Sequence, residues 1–414
     1  MIQFDRFKLD NGLKVLFHKD ATTPMAVVNI LYNVGARDES EDKTGFAHLF
    51  EHLMFGGSIN IPEFDTPLQL AGGENNAFTS NDITNYYDVL PANNIETALW
   101  LESDRMLSLA FTPKSLEVQR SVVIEEFKQR YLNQPYGDVW LQLRPEVYKT
   151  HPYKWATIGK EIKHIEDATM EDVKGFFNKF YHPANAIMCI AGNMELDEVK
   201  RMVTKWFGDI PAGEIHHRNL PQEPRQTEFR QKTIERAVPS DAFYYAFRME
   251  DRLHPDYLVY DTLSDVLGRD KSSRLYKSLK KEQGLVTNVS AYVTGSIDSG
   301  LLIISGKLSE GVTFEQLDEA FWKEMDTLLS EKVSEEELNR IMVKIRTSNE
   351  FQHQAVLNRA MALCMNELLG DADMINHESE KYASITPDDL QRVATSTFIK
   401  SNCTLLNVKA SHAE

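Results

Sequence analysis

The segment His48-Leu49-Phe50-Glu51-His52 carries the side chains best suited to chemistry in this chain. On a helix, residues four apart lie about 40° apart on one face, so the two imidazoles can converge on a single ion. Zinc accepts imidazole nitrogen at about 2.0–2.1 Å, and a catalytic zinc keeps three protein ligands and one open position. Glu51 shares that face and can take a proton from water held there, the task of a general base. The competing reading is a helix with two half-buried histidines. Phe46, Phe50, Leu53 and Phe55 flank the pair, and such apolar surroundings would leave two neutral imidazoles in need of partners.

A helix from about 45 to 54, stopped by Gly56-Gly57, must present these residues. Ahead of it, alternating apolar segments at 14–18 and 26–34 predict antiparallel strands, and Leu9-Asp10-Asn11-Gly12-Leu13 reads as a strand–turn–strand signal. Thr112-Pro113 opens a second helix as N-cap and first helical residue. Apolar Leu116, Val122, Val123 and Phe127 follow at helical spacing, and Asn133-Gln134-Pro135 ends the run. Glu125 and Glu126 therefore lie late on that helix.

Sliding the chain along itself lays Thr169-Met-Glu-Asp172-Val over Thr386-Pro-Asp-Asp389-Leu, Tyr181 over Phe398 and Asn185 over Asn402, all in one register. Each copy reads as capped helix, loop, strand. The duplication predicts an α+β protein of two homologous domains of about 200 residues each. They are expected at 1–210 and 231–414, the first holding the metal site and the second lacking one. Residues 211–230, rich in Pro, Gly, Arg and Glu, have the composition of an exposed linker.

With 42% hydrophobic and 26% charged residues the chain is globular in composition, which excludes disordered and collagen-like classes. A formal net charge of -17 repels nucleic acid and anionic membrane surfaces, so neither is expected as a partner. No apolar run reaches the length of a membrane span; 186–191 has that of a buried strand. Cys189, Cys364 and Cys403 show no Cys-x-x-Cys spacing and are expected as buried thiols. The N-terminus lacks the basic-then-apolar pattern of a leader, and a cytoplasmic protein is expected.

The run Gly45-Phe-Ala-His48-Leu-Phe-Glu51-His52-Leu-Met-Phe-Gly56 resembles the inverted zinc motif of the inverzincins, the M16 metallopeptidases. That family includes pitrilysin, insulin-degrading enzyme and the mitochondrial processing peptidase. The resemblance implies a LuxS/MPP-like metallohydrolase fold, an antiparallel sheet with packed helices, and bound Zn²⁺. It implies a third ligand on a downstream helix, where Arg120-Ser-Val-Val-Ile-Glu125-Glu126 matches the family pattern with Glu126 as ligand. Glu125, about 100° around the helix, is the competitor. The stretch between His52 and Glu126 is slightly shorter than the family usually has. Gly72-Gly-Glu-Asn-Asn76-Ala77-Phe78-Thr79-Ser80 is similar to an edge strand that pairs with substrate in relatives. It makes Asn76, Ala77 and Phe78 candidate peptide-binding residues. His151, His182 and His216-His217 are expected to be structural or exposed.

Active single-chain and homodimeric relatives carry an arginine and a tyrosine seven positions apart in the second half. Here Lys280 and Thr287 stand at those positions, and Arg274 and Tyr276 nearby do not fit the spacing. An intact zinc motif without that pair resembles the metal-bearing chain of the heterodimeric members, so a homologous M16 subunit carrying the Arg/Tyr pair is the expected partner, with a homodimer as the alternative. The resemblance thus implies a zinc metalloendopeptidase that hydrolyses unfolded peptides in an enclosed chamber, with His48, His52 and Glu126 on the metal and Glu51 as base. The rival is a non-catalytic, structural or chaperone-like homologue.

Overall fold

Six strands, β1 (Asp5–Lys8), β2 (Lys14–Lys19), β3 (Met25–Tyr32), β4 (Glu74–Thr79), β5 (Thr84–Pro91) and β6 (Ala186–Gly192), form one sheet in the order β1-β2-β6-β3-β5-β4. The structure is a computed structural model and describes residues 1–411; positions 412–414 of the expected second domain lie outside the described residues. β6 is buried along its whole length, and β3 is buried save for Met25. Continuous apolar strands of this kind belong at the centre of a sheet covered on both faces.

The strands expected at 14–18 and 26–34 form, but they do not pair with each other. β6 lies between them, parallel to β2 and antiparallel to β3. Their hydrophobic runs fix which strands are central, while the neighbour that completes them comes from far along the chain. The turn signal at Asp10–Gly12 does close a hairpin: β1 pairs with β2, and Gly12 sits at φ 93.

A second sheet contains β7 (Arg230–Arg236), β8 (Ala242–Arg248), β9 (Val286–Val293), β10 (Leu301–Leu308) and β11 (Cys403–Ala410), in the order β7-β11-β8-β10-β9. It repeats the arrangement of the first. β7 and β11 are parallel as β2 and β6 are, β8 stands where β3 does, and β9 takes the edge position of β4. Thr169 and Thr386 each cap a helix with a reciprocal box, to Asp172 and Asp389, just before β6 and β11.

The compact units are not contiguous runs of chain. Met1–Lys128, Trp155–Pro221 and Asn349–His377 make the first; Gln129–Lys154, Gln222–Ser348 and the residues from Glu378 onward make the second. Each sequence half thus gives one segment to the other unit, and packing explains why. Val139, Leu143 and Val147 of helix Val139–Val147 are buried among Ile234, Ala246, Ile303, Leu406 and Val408 of the second sheet. Helix Val356–Leu369 lies on β3 and β6 of the first. The stretch at 211–230 has no regular structure before β7, yet it is anchored and not merely exposed. Arg218 donates to Asp38 at 2.6 Å in the first unit, and Glu223 accepts the amides of Lys149, Thr150 and His151 in the second. Among the described residues no helix is long and apolar enough to cross a membrane.

Candidate functional site

Helix Phe46–Leu53 starts at Gly45, whose φ is 87; a Cβ there would meet the Ile158 carbonyl oxygen at 2.7 Å, so glycine is required. The Glu39 carboxylate accepts the backbone N–H of Gly45 at 2.9 Å and of Ala47 at 2.8 Å, serving donors that a helix start leaves unpaired. Burial pushes the Glu39 carboxyl up to about 8, with those two amides pulling the other way. Leu49, Phe50 and Leu53 face the core, where Phe50 stacks on Phe176 at 5.0 Å and Tyr181 at 5.2 Å. His48, Glu51 and His52 therefore occupy the remaining face.

Thr112 caps helix Pro113–Glu126, accepting from the Ser115 amide at 3.1 Å. At Phe127 the winding widens into a π-helix over Phe127–Leu132, a device common where a helix serves a site. Buried Val123 and Phe127 fix the rotation of this helix. Glu126 is thereby turned toward the histidines. Glu125 is turned outward, its side chain 59% exposed and paired with Lys128 at 2.7 Å.

Glu126 Oε2 lies 3.7 Å from His48 Nε2 and 3.4 Å from His52 Nε2, and one donor atom from each residue lies within 4.8 Å of the other two. The imidazole rings stand nearly perpendicular, 4.8 Å apart. Ligands about 2.0–2.1 Å from a tetrahedral zinc are separated from one another by about 3.4 Å. Both the donor chemistry and these separations fit one such ion.

Glu51 is mostly buried, and burial pushes its carboxyl up, as does Glu126; the Thr79 hydroxyl and His52 pull it down. Thr79 Oγ1 donates to Glu51 Oε2 at 2.5 Å. Thr79 ends β4, the edge strand that also carries Asn76, Ala77 and Phe78. Asn76 and Phe78 point outward and Ala77 is half-buried, while among the described residues the strand's only partner in the sheet is β5.

Below the motif helix, the Arg105 guanidinium is buried against Phe64, Tyr86 and Phe55, at 4.3, 4.5 and 5.2 Å from their ring centres, and its Nε donates to Glu102 at 2.8 Å. Desolvation and Glu102 push the fully buried Asp88 carboxyl well above its ordinary range, against the pull of Arg105. This cluster fixes the chain where it leaves the motif at Phe55.

In the second unit, Lys280 lies on the π-helix Tyr276–Glu282 with its ammonium 5.2 Å from the Tyr276 ring. Thr287 is exposed on β9, and Arg274 is tied to Glu337 at 2.9 Å. His151 and His182 are buried; His182 Nε2 meets the Lys179 carbonyl at 3.2 Å. His216 packs edge-on against Phe180. Thr79, Glu39 and Arg105 were not singled out by sequence. Threonine in a strand and arginine in a helix are common, and Thr79 and Arg105 lie on other elements than the residues they serve, Glu51 and Phe55, so no local periodicity links them.

Comparison with known proteins adds an independent line. Residues 14–159 match the family model "Insulinase (Peptidase family M16)" and residues 167–344 match "Peptidase M16 inactive domain". The chain is 27% identical over 415 residues to the zinc protease PqqE of Helicobacter pylori, spanning 97% of this chain and 91% of that one. It is 25% identical over 359 residues to the mitochondrial-processing peptidase subunit beta of Saccharomyces cerevisiae, spanning 82% and 77%. The crystal structure of a protease from Helicobacter pylori matches with a TM-score of 0.92 at 25% identity, covering 99% of this chain and 100% of that one.

Proposed function

The chain belongs to the M16 family of zinc peptidases, and from that premise we propose that it is a zinc-dependent endopeptidase of unfolded peptides. His48, His52 and Glu126 would hold the ion, and Glu51 is the general base. Bound zinc supplies Lewis acidity, polarising a peptide carbonyl and easing deprotonation of water. The Glu51 carboxylate accepts a proton from the attacking water and passes it to the nitrogen of the leaving amine. Its position supports this role, since one carboxylate oxygen is held by Thr79 Oγ1 beside the two histidines. Asn76, Ala77 and Phe78 offer an open strand edge to an extended peptide, which main-chain hydrogen bonds can hold with little regard to sequence.

The observation that carries the reading is the convergence of the three donors within 4.8 Å, with Glu51 on the same helix face as the histidines. Replacing Glu51 by Gln tests it. Zinc content should stay, and hydrolysis of an unstructured peptide should fall about 10²–10⁴-fold. Unchanged hydrolysis would remove Glu51 from the mechanism.

Lys280 and Thr287 support a finer reading, in which this chain is the metal-bearing member of a pair and a homologous M16 subunit supplies the missing arginine and tyrosine. A homodimer is the alternative, decided by whether turnover requires a second kind of chain. Three unpaired, buried cysteines support a cytoplasmic location, testable by fractionation. A non-catalytic role draws on the match of residues 167–344 to the inactive-domain model. A chain that holds no zinc and cleaves nothing even with a partner would favour that role.

A further inference from the structure

We infer that Thr79 is a positioning residue for Glu51, so that the edge strand offered to a peptide also aims the base. This rests on the peptidase reading above. Thr79 Oγ1 donates to Glu51 Oε2 at 2.5 Å. This bond restrains the position of the carboxyl group. With Oε2 held, Oε1 is the oxygen presented to water.

The strand fixes Thr79 in turn. Thr79 pairs with Thr84 of β5 in the antiparallel ladder, and exposure alternates along β4, so that Asn75, Ala77 and Thr79 face inward while Glu74, Asn76 and Phe78 face out. The register therefore keeps the Thr79 side chain on the face that Glu51 occupies. The outer rim of β4 is open, because β4 ends the sheet. A peptide that added there would stiffen the strand whose last residue holds the base. The arrangement assigns β4 two tasks, one along its open edge and one through the hydroxyl at its end. A hydroxyl is needed for the second, and the methyl of threonine is not.

Two substitutions separate hydroxyl from shape. Thr79→Val keeps the β-branched outline and removes the donor; Thr79→Ser keeps the donor and removes the methyl. With zinc-loaded protein and an unstructured peptide, Thr79→Val should lower kcat about 10–100-fold, part of the contribution of a positioned base, with KM and zinc content unchanged. Thr79→Ser should restore kcat to within about threefold of the original chain. A second readout needs no turnover. In metal-free protein, the Glu51 carboxylate stretch, identified by infrared subtraction of the Glu51→Gln variant, should shift in Thr79→Val and return in Thr79→Ser. Equal loss in both variants, unchanged kcat in Thr79→Val, or loss of zinc from Thr79→Val would overturn the inference. If the original chain cleaves no peptide under any condition, the peptidase reading fails, and the infrared comparison still decides whether Thr79 holds Glu51.

Discussion

β6 and β11 hold equivalent places in the two sheets, each entered from a helix with a threonine–aspartate capping box and each set between corresponding strands. The helices that follow β3 and β8 nevertheless carry different chemistry. The first, Phe46–Leu53, turns two histidines and a glutamate toward Glu126. The second, Tyr257–Gly268, carries Asp261 and Asp265, and these are engaged by Tyr382 at 2.7 Å and Arg269 at 3.0 Å. One fold thus supports a converging donor set in one unit and separate polar pairs in the other. The scaffold sets where side chains can meet, while residue type decides whether what meets is a site or a structural bond.

The largest effect that distinguishes the units should come from the buried cation under the motif. Arg105→Ala leaves Glu102 buried without its partner, and a loss of about 3–5 kcal/mol in stability is expected from denaturant unfolding. A loss below about 1 kcal/mol would mean that the cluster does not support the first unit. Next in size is the pair missing from the second unit. Supplying a homologous subunit with its arginine and tyrosine should raise kcat about 10²–10³-fold, the usual worth of an oxyanion donor. Lys280→Arg with Thr287→Tyr in this chain should recover part of that gain. Full activity of this chain alone, free of any second subunit, would remove the need for a partner.

The third effect belongs to Asp265. Burial pushes its carboxyl up from 3.8 to about 6, against the pull of Arg269. The folded chain then keeps a proton that the unfolded chain has lost, so stability falls as pH rises through that window. The fall amounts to at most about 3 kcal/mol. Asp265→Asn should flatten this slope and leave zinc content unchanged; a slope unaltered by the substitution would assign it to other groups. Smallest are the caps. Thr169→Ala and Thr386→Ala should each cost about 1 kcal/mol, and a large inequality would show that the two capping boxes are equivalent in form only.

Sequence periodicity and motif reached the parts of the molecule that are local. The i, i+4 spacing of His48 and His52 and the Thr-Pro start at Thr112 both follow from helix geometry, and the capping boxes at Thr169 and Thr386 exposed the duplication. The choice between Glu125 and Glu126 needed helix rotation, which buried Val123 and Phe127 set. What the sequence could not reveal is non-local. An apolar stripe such as Val139, Leu143 and Val147 announces a buried helix face and is silent on which sheet receives it. The placement of β6 between β2 and β3 depends on a strand that the chain reaches far along, after helix Met170–Phe180. Thr79 reads as an ordinary strand former until the fold brings it to Glu51.

The most direct measurement is zinc per chain in purified protein and its variants, by elemental analysis. One zinc per chain is expected for the original protein, with loss in His48→Ala, His52→Ala and Glu126→Gln and retention in Glu51→Gln, Glu125→Gln and Asp265→Asn. Equal zinc in the original chain and His48→Ala, or loss from Glu125→Gln with retention in Glu126→Gln, would contradict the assignment of this metal centre.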